Sequence, residues 1–330
     1  MRLVNGAGLA LLALLLAACT EPRTAGAKGS NGHANPAWVS LLADLKAFER
    51  RIGFESTRNF LRTDTHKQSF PFCGRVSRLY LPYSYQDPAI RWFDYKKCGG
   101  GEENVDVFTG ESEAVGESGT PVTQSMLEAP LERIMYVVFH EDCHDQFAFP
   151  HGFEEAVCNV IAYGAMLAFS KEHYGRGSPE FASVERYVEE GARDARLTVT
   201  YYDEIAALYA RHDRSELSTA ALLKLRAHTF AKAARALDWD AGEVNNVFLA
   251  NAMTYSRHYD FAADVLHALG DDLARAIAFF RHVDSIKPTP AQVMAAQKLG
   301  SESSVEFVRA YEAVVVETTR KALREVAAIL

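Results

Sequence analysis

Helical periodicity from Pro121 to the C-terminus is the feature that most constrains the fold of this 330-residue chain. Apolar residues recur there at the spacing of a helix face, and the only strong breakers beyond residue 180 are single glycines and the loop at 287–290. We therefore predict helices at 129–147, 154–172, 181–211, 217–237, 241–256, 259–269 and 271–284, and from 289 to the C-terminus.

The part of the chain before Pro121 has a different residue pattern. A helical pattern at 38–54 is followed by short β-type runs, RVSRLYL at 75–81 and NVDVF at 104–108, separated by Gly and Pro. These patterns predict a mainly α-helical α+β fold in one domain at 37–330. Within that domain we expect a β-containing part at about 53–128, a helix pair at about 129–172 and a helical part at about 181–330.

Composition excludes several classes of protein. The chain is 48% hydrophobic and 24% charged, which is ordinary for a folded domain. A formal charge of -8 argues against nucleic-acid binding, which relies on clustered Lys and Arg. Beyond the first 20 residues no apolar run is long enough to cross a bilayer, so we expect no multi-span membrane protein.

The sequence HEDCH at 140–144 is an H-E-x-x-H motif at the end of an apolar helical run. Four residues turn a helix through about 400°, so His140 and His144 share one face and can converge on one zinc ion. Glu141 lies about 100° round the helix, beside the open coordination position. A carboxylate there can take a proton from metal-bound water, so Glu141 is the predicted general base.

A zinc site needs a third protein ligand, and three downstream residues are candidates. His151 is one residue away from the metzincin position, so that arrangement fits poorly. Glu155 stands at the start of the next helix, as in gluzincins, and is the favoured ligand. Glu154 is the alternative ligand, or a residue that contacts substrate.

Several segments resemble the bacterial "predicted aminopeptidase" family, zinc peptidases of the gluzincin group. The resemblance covers roughly residues 38–285, and only the metal helix is highly specific. It is carried by DVFTG at 106–110, GTPVTQSML at 119–127, FHEDCHDQ at 139–146, GFEEA at 152–156, the tyrosine pair at 201–202, NNVFLA at 245–250 and Tyr255. The family's Phe-Asn-Glu aligns its metal ligand with Glu155.

The resemblance implies a zinc-dependent aminopeptidase that hydrolyses peptide bonds, with a nearby Tyr or His supporting the oxyanion. Tyr255 and Tyr202 are the candidates for that contact. Asp142 and Glu154 depart from the usual family residues and predict a more acidic site. The alternative is a catalytically inactive protein that keeps the zinc fold and serves as an envelope scaffold.

Four cysteines follow the first 20 residues of the chain. Cys73 and Cys98 flank the β-type region and are predicted to form a disulfide. Cys143 and Cys158 lie on the two helices expected to carry the metal ligands. We interpret them as small core residues, slightly in preference to a disulfide between the helices.

The first 19 residues predict where the protein works. Arg2 precedes an apolar run at 7–18 that is typical of a secretory signal, and LAAC at 16–19 resembles the bacterial lipobox. We therefore expect a signal peptide at 1–18, a lipid on Cys19 and a flexible tether at 19–36. Thr20 favours the periplasmic face of the outer membrane of a Gram-negative bacterium, with contact to the membrane through the lipid alone.

Overall fold

The computed structural model describes residues 36–64, 66–67, 69–93, 95, 98, 104–114 and 119–327. The predicted signal peptide at 1–18, the lipidation site Cys19 and the tether up to residue 35 lie outside these residues.

Helices dominate the described chain, as the periodicity predicted, so the fold is mainly α with a small β part. They are α1 (Pro36–Arg51), α2 (Gln124–Glu128), α3 (Leu131–His144), α4 (His151–His173), α5 (Pro179–Asp213), α6 (Thr219–Leu237), α7 (Asn246–Ser256), α8 (Tyr259–Ala268), α9 (Leu273–Ile286), α10 (Pro290–Gln297) and α11 (Val305–Ala327).

Two small sheets account for the strands of the described residues. The strands are β1 (Thr63–Asp64), β2 (Phe70–Ser77), β3 (Arg91–Phe93), β4 (Val105–Ser112) and β5 (Val122–Thr123). β1 and β5 pair in parallel, while β2 lies between antiparallel neighbours in the order β3-β2-β4. The run predicted at 75–81 shares only residues 75–77 with β2, so most of its prediction was wrong, while the run at 104–108 falls in β4 from Val105 onward. β2 and β4 pair along eight residues, from Phe70 opposite Ser112 to Ser77 opposite Val105.

The single helix predicted from residue 289 to the C-terminus is wrong. α10 ends after Gln297, where Lys298 adopts the left-handed conformation with φ of 54°, and α11 begins only at Val305. The intervening residues include Gly300 and three serines, which favour turns over helix interiors. The periodicity continues across this interruption, which explains the error.

Two apolar clusters hold the elements together. The larger one surrounds α3 and α4, with contributions from α1, α8, α9 and α11. The second fills the space between the β3-β2-β4 sheet and α5, α6 and α7. The β3-β2-β4 sheet contacts α7 through β2 and β4, and α7 also contacts α4, so α7 links this sheet to the helix pair α3 and α4.

Two disulfides cross-link the described part of the chain. Cys73 on β2 is bonded to Cys98, with their Cα atoms 5.9 Å apart, and this pairing agrees with the sequence-based expectation. Cys143 on α3 is bonded to Cys158 on α4, with their Cα atoms 5.4 Å apart. Our preference for unpaired core residues at the second pair was wrong, because the close packing of α3 and α4 brings the two side chains together.

Among the described helices, none is both long enough and apolar enough to span a bilayer.

Candidate metal centre

The metal motif lies on a helix that is surrounded by protein. Every residue of α3 from Ile134 to His144 is buried. A helix covered on all sides belongs to the interior of a domain, so the polar residues of the motif have been taken out of water. Such burial is tolerated where each polar group finds a partner or a ligand.

A short turn leads from α3 into α4 and sets the relative position of the two helices. The rings of Phe147 and Phe149 in this turn pack against Phe280 of α9, with centroid distances of 6.1 and 6.3 Å. Pro150 precedes the first residue of α4 and has extended backbone angles, which suits a proline at a helix start. This connecting segment is therefore packed in the larger core, and it places the N-terminal residues of α4 next to the C-terminal end of α3.

Three side chains converge between the two helices. Nε2 of His140 lies 3.2 Å from Nε2 of His144 and 3.0 Å from Oε2 of Glu155, and the His144 to Glu155 distance is 3.5 Å. All three residues are buried, and Glu155 has no exposed surface. This group can bind a metal ion.

The spacing of the three atoms fits a metal with tetrahedral coordination. Ligands about 2.0–2.2 Å from an ion at tetrahedral angles lie about 3.3 Å from one another. The observed separations of 3.0, 3.2 and 3.5 Å bracket that value. Two imidazole nitrogens and one carboxylate oxygen leave a fourth position open, which is typical of catalytic rather than structural sites.

Glu154 contacts His144 on the side of Nδ1. Its Oε1 is 2.9 Å from Nδ1 of His144, and its Oε2 accepts a 2.7 Å hydrogen bond from the backbone N–H of Phe149. Glu155 and not Glu154 belongs to the converging group, while a contact of Glu154 with substrate stays a prediction. A carboxylate on Nδ1 fixes the ring so that Nε2 faces the metal position.

His151, the other ligand candidate, stands at the edge of the group. Its Nε2 lies 3.1 Å from Oε1 of Glu155, one helical turn away, and its ring packs on Tyr85 with a centroid distance of 4.8 Å. It contacts the outer oxygen of Glu155, while the inner oxygen Oε2 faces His140 and His144.

Tyr255 is close to the centre and Tyr202 belongs elsewhere. The Tyr255 ring lies 6.2 Å from the His140 ring, so this candidate is beside a ligand. Tyr202 donates its hydroxyl to the carbonyl of Pro82 at 2.9 Å and is buried in the cluster between the sheet and α5–α7. The structure therefore places Tyr202 in a different cluster from Tyr255, and its predicted role at the reacting bond stays a prediction.

Asp142 points away from the metal position and does not make the site more acidic. Its carboxylate pairs with Nζ of Lys46 on α1 and accepts a 2.7 Å hydrogen bond from Thr57 Oγ1. Asp142 has no exposed surface. It therefore ties the metal helix to α1, and its charge is compensated by the ammonium group of Lys46.

Glu141, the predicted base, is buried in the helix beside His140, with 5% of the residue exposed. Its backbone carbonyl accepts a hydrogen bond of 3.2 Å from Nδ2 of Asn59, a fully buried side chain from the segment after α1. Asn59 also reaches Asp145 at the end of α3, with 3.3 Å between Nδ2 and Oδ2. These bonds hold the last turn of α3, and with it the position of the base.

Burial and neighbouring charges shift the pKa values of His140, His144 and Glu155 in opposite directions. Burial lowers the pKa of His140. Burial would also lower the pKa of His144, but the carboxylates of Glu155 and Glu154 raise it well above its usual value. The pKa of Glu155, which burial would raise, is held well below its usual value by His144 and His151. A metal ion must displace the proton of His144, so metal binding weakens as the pH falls.

Two further residues support the site, and the sequence analysis named neither of them. Tyr136 stacks on His140 with a centroid distance of 5.0 Å, and its hydroxyl donates to Asn159 on α4 at 2.6 Å. Glu312 of α11 approaches the first turn of α4, where a Cβ atom on Gly152 would lie 2.5 Å from Glu312 Oε1. Tyr136 stands four residues before His140, on the same helix face, which is a signal that the sequence did offer.

Comparison with family models, with curated proteins and with solved structures finds no match to this chain.

Proposed function

We propose that this chain is a zinc-dependent metallopeptidase, and more narrowly an aminopeptidase. The observation that carries the proposal is the convergence of His140, His144 and Glu155, with Glu141 next to the first ligand on the same helix. An H-E-x-x-H helix followed by a glutamate on a packed neighbouring helix is the arrangement that zinc peptidases use. Preference for a free N-terminus rests on the family resemblance.

Zinc is the ion that suits this donor set. Two imidazoles and one carboxylate at tetrahedral spacing favour zinc over magnesium or calcium, which prefer oxygen ligands and higher coordination numbers. The carboxylate of Glu154 on His144 adds the outer hydrogen bond that histidine ligands of zinc usually have.

The chain's own residues divide the work of peptide hydrolysis. When bound, zinc supplies a Lewis acid that polarises the scissile carbonyl and lowers the pKa of water. Glu141 accepts the proton of the attacking water and then gives it to the leaving amine. Tyr255, beside His140, is the nearest candidate to support the oxyanion, and Glu154 keeps His144 oriented throughout.

Measuring metal content and peptide hydrolysis on the same purified protein tests this function. We expect about one zinc ion per chain and cleavage of aminoacyl substrates with a free amine, with little cleavage of matched N-blocked peptides. Zinc at this ratio with no cleavage of any peptide would contradict the proposal and favour an envelope scaffold. Cleavage of blocked peptides would contradict only the aminopeptidase assignment.

We also propose that the protein is held at the cell envelope by a lipid on Cys19. The proposal is supported by the lipobox resemblance at 16–19. A Cys19→Ser chain is expected to leave the membrane fraction, or to keep its signal peptide uncut. Correct cleavage together with continued membrane association of this variant would contradict the lipid anchor.

A further inference from the structure

A narrow cavity of about 90 Å³ adjoins the metal centre. Two of its walls are the rings of Tyr136 and Tyr255, which lie 5.0 and 6.2 Å from the ring of His140. The cavity therefore begins one aromatic ring away from a metal ligand.

Aromatic rings form a large part of the cavity wall. They come from α3, α4, α5, the segment before α7, and α7 and α8: Tyr136, Tyr163, Tyr187, Trp239, Phe248, Tyr255 and Tyr259. Faces of such rings attract cations, Trp and Tyr being the most effective. Tyr136 already stacks on His140 and lies under the guanidinium of Arg133 at 5.2 Å, so the other rings are the ones that can meet a ligand cation. A wall of this composition suits a side chain with an apolar stem and a positively charged end.

The charged residues of the wall are compensated within the protein. The guanidinium of Arg133 binds both carboxylate oxygens of Glu113, at 3.1 and 2.7 Å. Asp194 pairs with Arg193 at 2.8 Å, and the Arg193 side chain is more than half exposed. Neither pair leaves a net positive charge that would repel a cation from the cavity.

One buried acceptor in the wall lacks a partner. Asn251 on α7 is 2% exposed, and among the described residues its Oδ1 accepts no hydrogen bond. An unsatisfied buried polar atom costs stability, so its retention needs a reason. A ligand that brings an N–H donor into the cavity would satisfy this oxygen.

We propose that this cavity receives the side chain of the substrate residue whose carbonyl is cleaved, and that it selects lysine. The proposal rests on the peptidase function proposed above. Lysine offers a slender apolar stem, a cationic end for the aromatic wall and donors for Asn251.

Norleucine is the matched competitor, because it has the stem of lysine without the amine. We expect lysinamide, and not norleucinamide, to raise the melting temperature of the zinc-loaded Glu141→Gln protein, whose turnover should be roughly 10²–10⁴-fold slower than that of the wild type. In the active protein, kcat/KM for lysyl substrates should exceed that for norleucyl substrates by about tenfold or more, because the amine satisfies Asn251.

Asn251→Leu should abolish the difference between the two amides and bring the two kcat/KM values together. Because Oδ1 of Asn251 accepts no hydrogen bond among the described residues, leucine removes none at that atom, and the melting temperature of the unliganded variant should not fall. Asn251→Asp keeps an acceptor and should preserve the lysine preference, which covers the case in which the leucine variant does not fold. Thr200→Ala, exposed on α5, is the control and should leave both differences intact.

Equal responses to the two amides, or equal kcat/KM for the two substrates, would overturn the lysine assignment even in an active peptidase. A lysine preference that survives Asn251→Leu would overturn the role of Asn251. If no peptide is cleaved but lysinamide alone binds, and does so through Asn251, the peptidase proposal fails while the lysine-binding cavity stands.

Discussion

Glu141→Gln is expected to retain about one zinc ion per chain and to lose roughly 10²–10⁴ of the hydrolysis rate. The substitution keeps the size of the side chain and its capacity for hydrogen bonds, but it removes the group that accepts the proton. Glu141 is absent from the converging group of His140, His144 and Glu155, so the ligands stay in place. Metal analysis and turnover measured on the same preparation check both halves of this result.

Alanine at any of the three ligands should give the opposite pattern, with zinc and activity lost together. Each ligand supplies one of the three atoms that lie 3.0–3.5 Å apart, and two remaining ligands do not hold the ion tightly. Near wild-type turnover in Glu141→Gln would refute the mechanism even with zinc bound. Full zinc content in Glu155→Ala would show that the third ligand is misassigned.

Glu154→Ala is expected to weaken zinc affinity by about 10–100-fold without removing a ligand. Glu154 holds Nδ1 of His144 at 2.9 Å and also binds the N–H of Phe149 at 2.7 Å, so its loss frees both the ring and the turn. Glu154→Gln retains hydrogen bonding but not the charge, and should fall between alanine and the wild type. Competition with a chelator of known affinity measures the difference.

Glu172→Ala is the matched control, because Glu172 stands on the same helix with an exposed side chain, 62% accessible. It should bind zinc as the wild type does. Unchanged affinity in Glu154→Ala would remove the orienting role of this residue. Complete loss of zinc there, with zinc retained in Glu155→Ala, would make Glu154 the ligand after all.

Sequence predicts well those site residues that are close together on a single helix. His140, Glu141 and His144 lie within one and a half turns of one helix, so their relative positions follow from helix geometry alone. Helix positions along the chain were predicted for the same reason, since the periodicity is a property of each segment. Glu155 was predicted as the third ligand because it stands near the start of the next helix and because the family resemblance aligns a metal ligand with it.

Contacts between distant segments account for what the sequence did not reveal. Glu154 and Glu155 are adjacent and chemically identical, and only the packing of α4 on α3 turns one toward the metal position and the other toward Nδ1 of His144. Asp142 was predicted to make the site more acidic, but in the fold its carboxylate pairs with Lys46 on α1. The unpartnered oxygen of Asn251 has no signature in the sequence, because satisfaction is a property of the fold.

The bond between Cys143 and Cys158 has a consequence for how the protein acquires its metal. It closes a loop between residues with a sequence separation of 15, and this loop contains His144, Glu154 and Glu155, with His140 just outside. Many small zinc domains unfold when their ion leaves. Here a covalent loop, worth about 3 kcal/mol in the chain-entropy description, keeps α3 and α4 side by side without an ion. We therefore expect the proposed zinc ion to depart and return as a reversible ligand, and a chain exported as we propose to take up its metal after the disulfide has formed.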